Sequence, residues 1–376
     1  MLIKNGTIYD AIHEKPYVAD ISVEKGKIAA IGKNLTAKRG EEIVDAKGLR
    51  VYPGFIDAHC HTAIDDFGQG DMGKDFNEKT SPVTPELRAI DSIYPQDIAF
   101  KRAREAGVTT VCTGPGSANV IGGTFAALKT AGNSVEEMLV KADVAMKCAF
   151  GENPKKCYPK HGATVRMAVA ARLREALFAA REYMEKKEAG KEQKFDLKME
   201  ALIPVLKGEM PLKAHAHRAD DILTAIRIAK EFGVKITIEH ATDGAQIKRE
   251  LKKAGVSVAI GPIMSGGGSK VEVRAKNDSM AAVLDKAGVP FCIITDAPVV
   301  LQEYLTTSVA VSLHAGLDPF KGLQAITINA AKHIGLEDRI GSLEVGKDAD
   351  IVLCKGDVFD YTGKIQAVYI GGKKVV

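Results

Sequence analysis

The sequence predicts an α/β protein: a (β/α)8 TIM barrel with a small β-sandwich domain beside it. Three features point there. From residue 51 onward, apolar strand-like segments alternate with amphipathic helical ones, the pattern of parallel strands joined by crossover helices. Ionisable and metal-binding side chains recur at the C-terminal ends of those strands, where barrels carry their chemistry. At both chain ends the hydrophobic period drops to two, as in antiparallel sheets. A doubly wound open sheet is the competing architecture, and no G-x-G-x-x-G turn supports it.

Residues 2–9 and 19–31 alternate apolar and polar, with Glu24-Lys25-Gly26-Lys27 as a hairpin turn inside the second run. The same alternation returns at Asp350–Cys354 and Ile365–Ile370. Segments 1–50 and 341–376 are therefore expected to build one composite β-sandwich, and 51–340 the barrel. A chain of 376 residues exceeds the usual limit for one core unless the core is a barrel.

Val51 to Ala58 reads as a buried first strand, broken by Pro53-Gly54, with His59 and His61 at its C-terminal end. Residues two apart on a strand share a face, so the two imidazoles converge and can hold a divalent transition metal, while Cys60 turns into packing. A Gly- and Asp-rich loop from Asp65 to Pro85 follows, long enough to suggest a functional role, and then a helix near Asp97–Ala106. Val108–Thr113 is the second strand. Residues 120–140 show no clear period and must hide the third. Val144–Phe150 is the fourth, closed by Gly151-Glu152-Asn153-Pro154. A long helix covers Thr164–Lys187, and beyond a charged turn the pattern becomes regular. Strands at Leu212–His217, Val234–His240, Val256–Ile260 and Val289–Asp296 alternate with helices at Asp220–Phe232, Ala245–Ala254 and Ser279–Ala287. Gly233, Gly255 and Gly288 stop those helices. Along this series His59 and His61 end strand one, Glu152 follows strand four, His215 ends strand five, His240 strand six and Asp296 strand eight.

Composition narrows the function. With 45% hydrophobic and 27% charged residues the chain is globular rather than disordered. Fifty-two basic against 48 acidic residues leave a net charge of +4, and no basic stripe is interleaved with aromatics, so a nucleic-acid partner is not expected. No signal-peptide pattern and no apolar run of about 18 residues occur, so no membrane partner is expected either. The six cysteines are scattered without a C-x-x-C pair, which suits reduced thiols in a cytoplasmic, soluble protein. The expected partner is a small-molecule substrate; self-association into a homo-oligomer is left open.

These residues carry a resemblance to the amidohydrolase superfamily, metal-dependent hydrolases with a (β/α)8 barrel and a β-sandwich made from both termini. It rests on Pro53-Gly-Phe-Ile-Asp-Ala-His-Cys-His61, Glu239-His240, Thr295-Asp296 and the tail from Gly335 to Ile351. The imidazolonepropionase-related, prolidase-like branch is the most similar, through Gly114–Asn119, Phe150–Pro154 and His215–Asp221. The resemblance implies metal ligation by His59, His61, His215 and, for a second ion, His240. It implies that Asp296 touches the metal and takes a proton from its water. His217 could replace His215 or contact substrate. The strand-four ligand to a second metal is either Glu152 or a lysine carboxylated by CO₂ at Lys147; Glu152 is preferred because the other ligands also sit at the barrel mouth. The expected cofactor is Zn²⁺, as one or two ions, with Fe²⁺ or Mn²⁺ as substitutes. Relatives commonly read Asp-His-Pro where this chain has Asp296-Ala297-Pro298, a loss that could mean a changed substrate or lower activity, and the loop 263–270 is unusually Gly-rich, which would widen or loosen the pocket.

The expected activity is hydrolysis of a C–N bond in a cyclic amide or peptide-like amide by a metal-activated hydroxide, with Asp296 as general base and His240 beside it. Arg218 is expected to bind a substrate carboxylate in a bidentate manner. Two alternatives stand: a deaminase acting on a ring amidine at the same site, or a barrel kept as a binding protein.

Overall fold

The computed structural model describes residues 1–265 and 270–376. Part of the Gly-rich loop singled out above, residues 266–269, lies outside the described residues.

Eight strands form the central sheet: β1 (Phe55–Cys60), β2 (Val108–Thr113), β3 (Ile121–Lys129), β4 (Leu139–Ala149), β5 (Leu212–Ala216), β6 (Ile236–His240), β7 (Ser257–Ile260) and β8 (Phe291–Ile293). They lie side by side in chain order. The sheet nearly closes on itself. Just past β8 the Asp296 N–H donates to the His59 carbonyl (3.1 Å), and the His61 N–H donates to the Ala297 carbonyl (2.7 Å). The Thr295 N–H and hydroxyl both donate to the buried Asp57 carboxylate.

Strand β3 departs from the expected all-parallel pattern, because it runs antiparallel to both β2 and β4. All nine of its residues are buried, so no polar face marks its period. A reversed strand also needs no crossover helix, which is why the strand–helix rhythm fails there.

Elsewhere local chemistry explains the elements. The helix Ile98–Glu105 begins where the Asp97 side chain accepts the Ala99 N–H (2.8 Å). Helices Ala219–Phe232, Lys248–Ala254 and Met280–Ala287 each end on a left-handed glycine, at Gly233, Gly255 and Gly288. The helix Leu197–Leu206 was not expected; it carries Pro204 inside it, a residue that reads as a breaker.

The terminal segments supply Leu2–Ile8, Tyr17–Glu24, Lys27–Gly32, Ile43–Asp45, Arg50–Pro53, Ile351–Lys355, Lys364–Ile370 and Lys373–Lys374. The hairpin turn is where the sequence placed it, with Glu24 opposite Lys27 and both Lys25 and Gly26 at positive φ. These strands pair into one continuous mixed sheet. Arg50–Pro53 is the reason: it pairs with Leu2–Ile8 on one side and Ile351–Lys355 on the other, joining both ends of the chain. Ile3, Ile8, Ile21, Val51, Ile351, Leu353 and Tyr369 form its own apolar core.

Lys129, at the end of β3, is held to this sheet. Its ammonium meets Asp348 (3.0 Å) and Asp350, all three side chains nearly buried. That contact accounts for the Asp348-Ala349-Asp350 part of the tail motif.

Candidate metal centre

Strands β1, β5 and β6 deliver their histidines to the C-terminal mouth of the sheet. The ladder sets their heights: His215 lies opposite Glu239, and Lys213 opposite Lys147. In a regular strand only one of Glu239 and His240 could face inward. Here His240 and Ala241 both take positive φ (71° and 45°), so the chain turns and both side chains reach the interior. Asp296 is likewise at φ 55°. Backbone strain of this kind gathers where a side chain must be aimed.

Hydrogen bonds orient three imidazoles. The Nδ1–H of His61 donates to the Gly114 carbonyl (2.7 Å), that of His240 to the Gly261 carbonyl (2.8 Å), and that of His59 to the Glu239 carboxylate (2.8 Å). Each bond leaves Nε2 as a lone pair. The Nε2 atoms of His61 and His59 lie 3.3 Å and 3.6 Å from one Asp296 oxygen. Ligand atoms of His59, His240 and Asp296 all lie within 4.8 Å of one another, and so do those of His215, His217 and His240. His240 belongs to both groups. His215 keeps a buried Nδ1 with no hydrogen-bond partner, a costly state that a cation would relieve. Imidazole lone pairs, one carboxylate and an unpaired buried nitrogen fit a divalent transition metal.

Burial lowers the basicity of His59, His215 and His217 well below the ordinary histidine range and that of His240 less far, which keeps the imidazoles neutral. Burial works against charge on Asp296, whereas positive charge at the place of the surrounding His240, His61 and His59 rings pulls its carboxyl well below the usual range.

Two buried lysines stand beneath. Lys147, fully buried on β4, donates to His59 Nε2 at 3.1 Å. Burial pushes its ammonium down to about 8, against the opposing pull of Asp296 and Glu239. Lys213 pairs with Glu239 (2.9 Å), and Glu239 also accepts from His333 (2.9 Å) and Thr237 (2.7 Å). Glu239 is fully buried with its lone pairs spoken for; burial opposes its charge, yet Lys213 and His333 hold its carboxyl well below the usual range. Sequence reasoning assigned no role to Glu239, Lys213 or His333. The available signal was Glu239 at the parity of Thr237, directly before a site histidine.

Two expected residues lie elsewhere. Glu152 does not join the imidazoles. Gly151, at φ 82°, turns the chain into the helix Glu152–Cys157, and the Glu152 carboxylate accepts the Glu272 N–H (3.0 Å) while its own N–H donates to Glu272 (2.8 Å). A side chain at position 151 would strike that Glu272 carboxylate. Asn153 is the residue of that turn that faces the site, 3.5 Å from His215 Nε2 and 2.6 Å from Ser117. Arg218 folds back on Asp220 through two bonds (3.0 and 2.8 Å) and does not line the cavity. His217 does line it, with Nδ1 sharing a hydrogen bond with Thr242 (2.8 Å). Ala297 is buried in the main core, so its small side chain leaves the cavity wall to Pro298 and Val299.

The centre opens into a cavity of about 480 Å³, within the range of small-molecule sites. Phe76, Ile263, Val273, Met280 and Val299 give it apolar walls.

A family model described as "Amidohydrolase family" matches residues 50–375. A solved structure of an amidohydrolase from Thermotoga maritima MSB8 is 41% identical and superposes with a TM-score of 0.96, covering 100% of this chain and 99% of that one. Among curated proteins, an adenine deaminase from Bacillus pumilus is 28% identical over 100% of this chain and 57% of its own length. An imidazolonepropionase from Symbiobacterium thermophilum is 24% identical over 89% of this chain and 83% of its own. The chain spans about half the length of the first curated relatives it matches, 40% and 57% of theirs.

Proposed function

This chain belongs to the amidohydrolase family, and from that premise we propose that it is a metal-dependent hydrolase of a C–N bond in a small cyclic or peptide-like amide. One observation carries the reading: four strand-end histidines and Asp296 converge at the floor of a small-molecule cavity, three of the imidazoles oriented through Nδ1 so that Nε2 turns toward the centre.

We assign His59, His61, His215 and His240 as the metal-holding imidazoles, with His217 beside them against the substrate. Zinc suits this set best, and iron or manganese could substitute. Lys147 replaces Glu152 as the strand-four ligand: its nitrogen faces His59, and the lowered basicity leaves amine free to combine with CO₂. A metal held there would polarise the substrate carbonyl and activate a water. Asp296, ionised and facing His59 and His61, accepts the proton from that water and returns it to the departing amine. Glu239 holds the His59 ring in place.

We further read the central sheet as the family's (β/α)8 barrel with its third strand reversed, spanning 51–340, and the sheet from 1–50 and 341–376 as its companion domain. Six thiols without a disulfide, five of them buried, support a reducing cytoplasmic setting. Among the described residues no helix is long and apolar enough to cross a membrane.

The likeness to an adenine deaminase favours a second reading, attack on a ring amidine at the same centre. A screen of metal-loaded protein against lactams, N-acyl amino acids, dipeptides and aminated heterocycles separates the two. Turnover of amides supports the hydrolase; ammonia release from heterocycles alone would replace it with the deaminase.

A further inference from the structure

The cavity holds a cation that the chemistry above does not use. Lys270 precedes the helical turn Val271–Val273 and lines the cavity with His215, His217 and Val273. Among the described residues no carboxylate lies within ion-pair distance of its ammonium.

The other charged residues of the cavity are committed. The Lys276 ammonium donates to the Ser265 carbonyl (2.7 Å) and hydroxyl (2.8 Å), and Asp278 sits near it. Asp296 faces the imidazoles, and Asp65 lies on the His61 side. The wall formed after β5 and by the turn at 271–273 therefore presents an ammonium to the cavity; the carboxylate in the field of Lys270, Glu272, is buried outside the cavity lining and is held by the Glu152 N–H (2.8 Å) and beside Arg166 (3.8 Å). An ammonium there attracts an anionic group and is poorly suited to a neutral ring.

We propose that Lys270 is a subsite for a substrate carboxylate, so that the preferred substrates are amides whose body packs on the apolar wall and whose acid group points toward β5. This rests on the hydrolase reading and names the substrate class: N-acyl amino acids and related acids, not neutral amides or purine-like rings.

The test compares N-acetyl-L-methionine with N-acetyl-L-methioninamide on the metal-containing protein and its Lys270→Met and Lys270→Arg variants, by calorimetric binding and by turnover. The wild type is expected to bind the acid about tenfold more tightly than the amide. Lys270→Met should erase that preference while leaving amide binding unchanged, and Lys270→Arg should keep part of it. Equal affinities in the wild type, absence of binding by either probe, or a preference that survives in Lys270→Met would overturn the subsite. Turnover of both probes without preference rejects the subsite and leaves the hydrolase standing. Binding preference without turnover of any amide does the reverse.

Discussion

His59 stands between two charged groups of opposite sign, with Nδ1 on Glu239 at 2.8 Å and Nε2 3.1 Å from the Lys147 nitrogen. A lysine pointing at an imidazole lone pair deep in a barrel would be expensive if its only role were packing. The pairing makes sense if that nitrogen is carboxylated, because a carbamate there would replace an ammonium with anionic oxygen donors beside His59.

The first prediction follows from this contact. Lys147→Met should lose the second metal, and chelator-stripped wild type should regain full activity only when bicarbonate accompanies the metal. Glu152→Gln should keep its metal, since Glu152 is engaged with Glu272. Elemental analysis decides; a bicarbonate-independent wild type that loses metal on Glu152→Gln would restore Glu152 to the role.

Glu239→Gln removes the charge that balances Lys213 and the group that orients His59. Metal affinity should fall about 10–100-fold, the usual effect of losing a ligand's orienting partner. Titration with a competing chelator measures it, and unchanged affinity would show that His59 is held by other contacts.

Asp296→Asn should reduce kcat by at least about 100-fold with an unchanged thermal transition, because an amide has neither the charge nor the basicity to take the proton. Near-wild-type turnover would remove Asp296 as the base.

Much of the site could be read from residue order alone, because strand ends in a barrel gather at one mouth. His59, His61, His215, His240 and Asp296 followed from that rule, and the glycine-stopped helices at Gly233, Gly255 and Gly288 kept the count of later strands secure. Strand β3 was hidden because burial on both faces erases the period. Glu152 was misplaced because position along the chain does not show which way a side chain turns after a left-handed glycine; Gly151 turns it toward Glu272. Lys147 was placed second to Glu152 because it lies within the strand and not at its end, and nothing in the local sequence showed that Asp296 and Glu239 would sit near it. Arg218 looked available although Asp220, two residues on, was already its partner.

Lys129 tests the join between the two sheets. Burial opposes charge on Asp348, but Lys129, Lys27 and Arg339 hold its carboxyl below the ordinary value of 3.8. A depressed carboxyl contributes stability that is complete above its unfolded pKa and lost as pH falls through the lower folded value. Lys129→Met should therefore cost about 1–3 kcal/mol at neutral pH, since Lys27 and Arg339 still pair with Asp348, and the gap to wild type should narrow below about pH 3.8. Denaturant unfolding across that range measures it; a gap independent of pH would mean that Lys129 contributes packing alone.

The most direct measurement of the central claim is the metal content of protein purified without chelator, set against His240→Ala, the variant that removes the histidine shared by both ligand groups. Elemental analysis should find one to two equivalents of zinc or a similar divalent ion in the wild type, by the chemistry of such ligand sets, and a large loss in the variant. Less than about a tenth of an equivalent in wild-type protein that also fails to reload would contradict it.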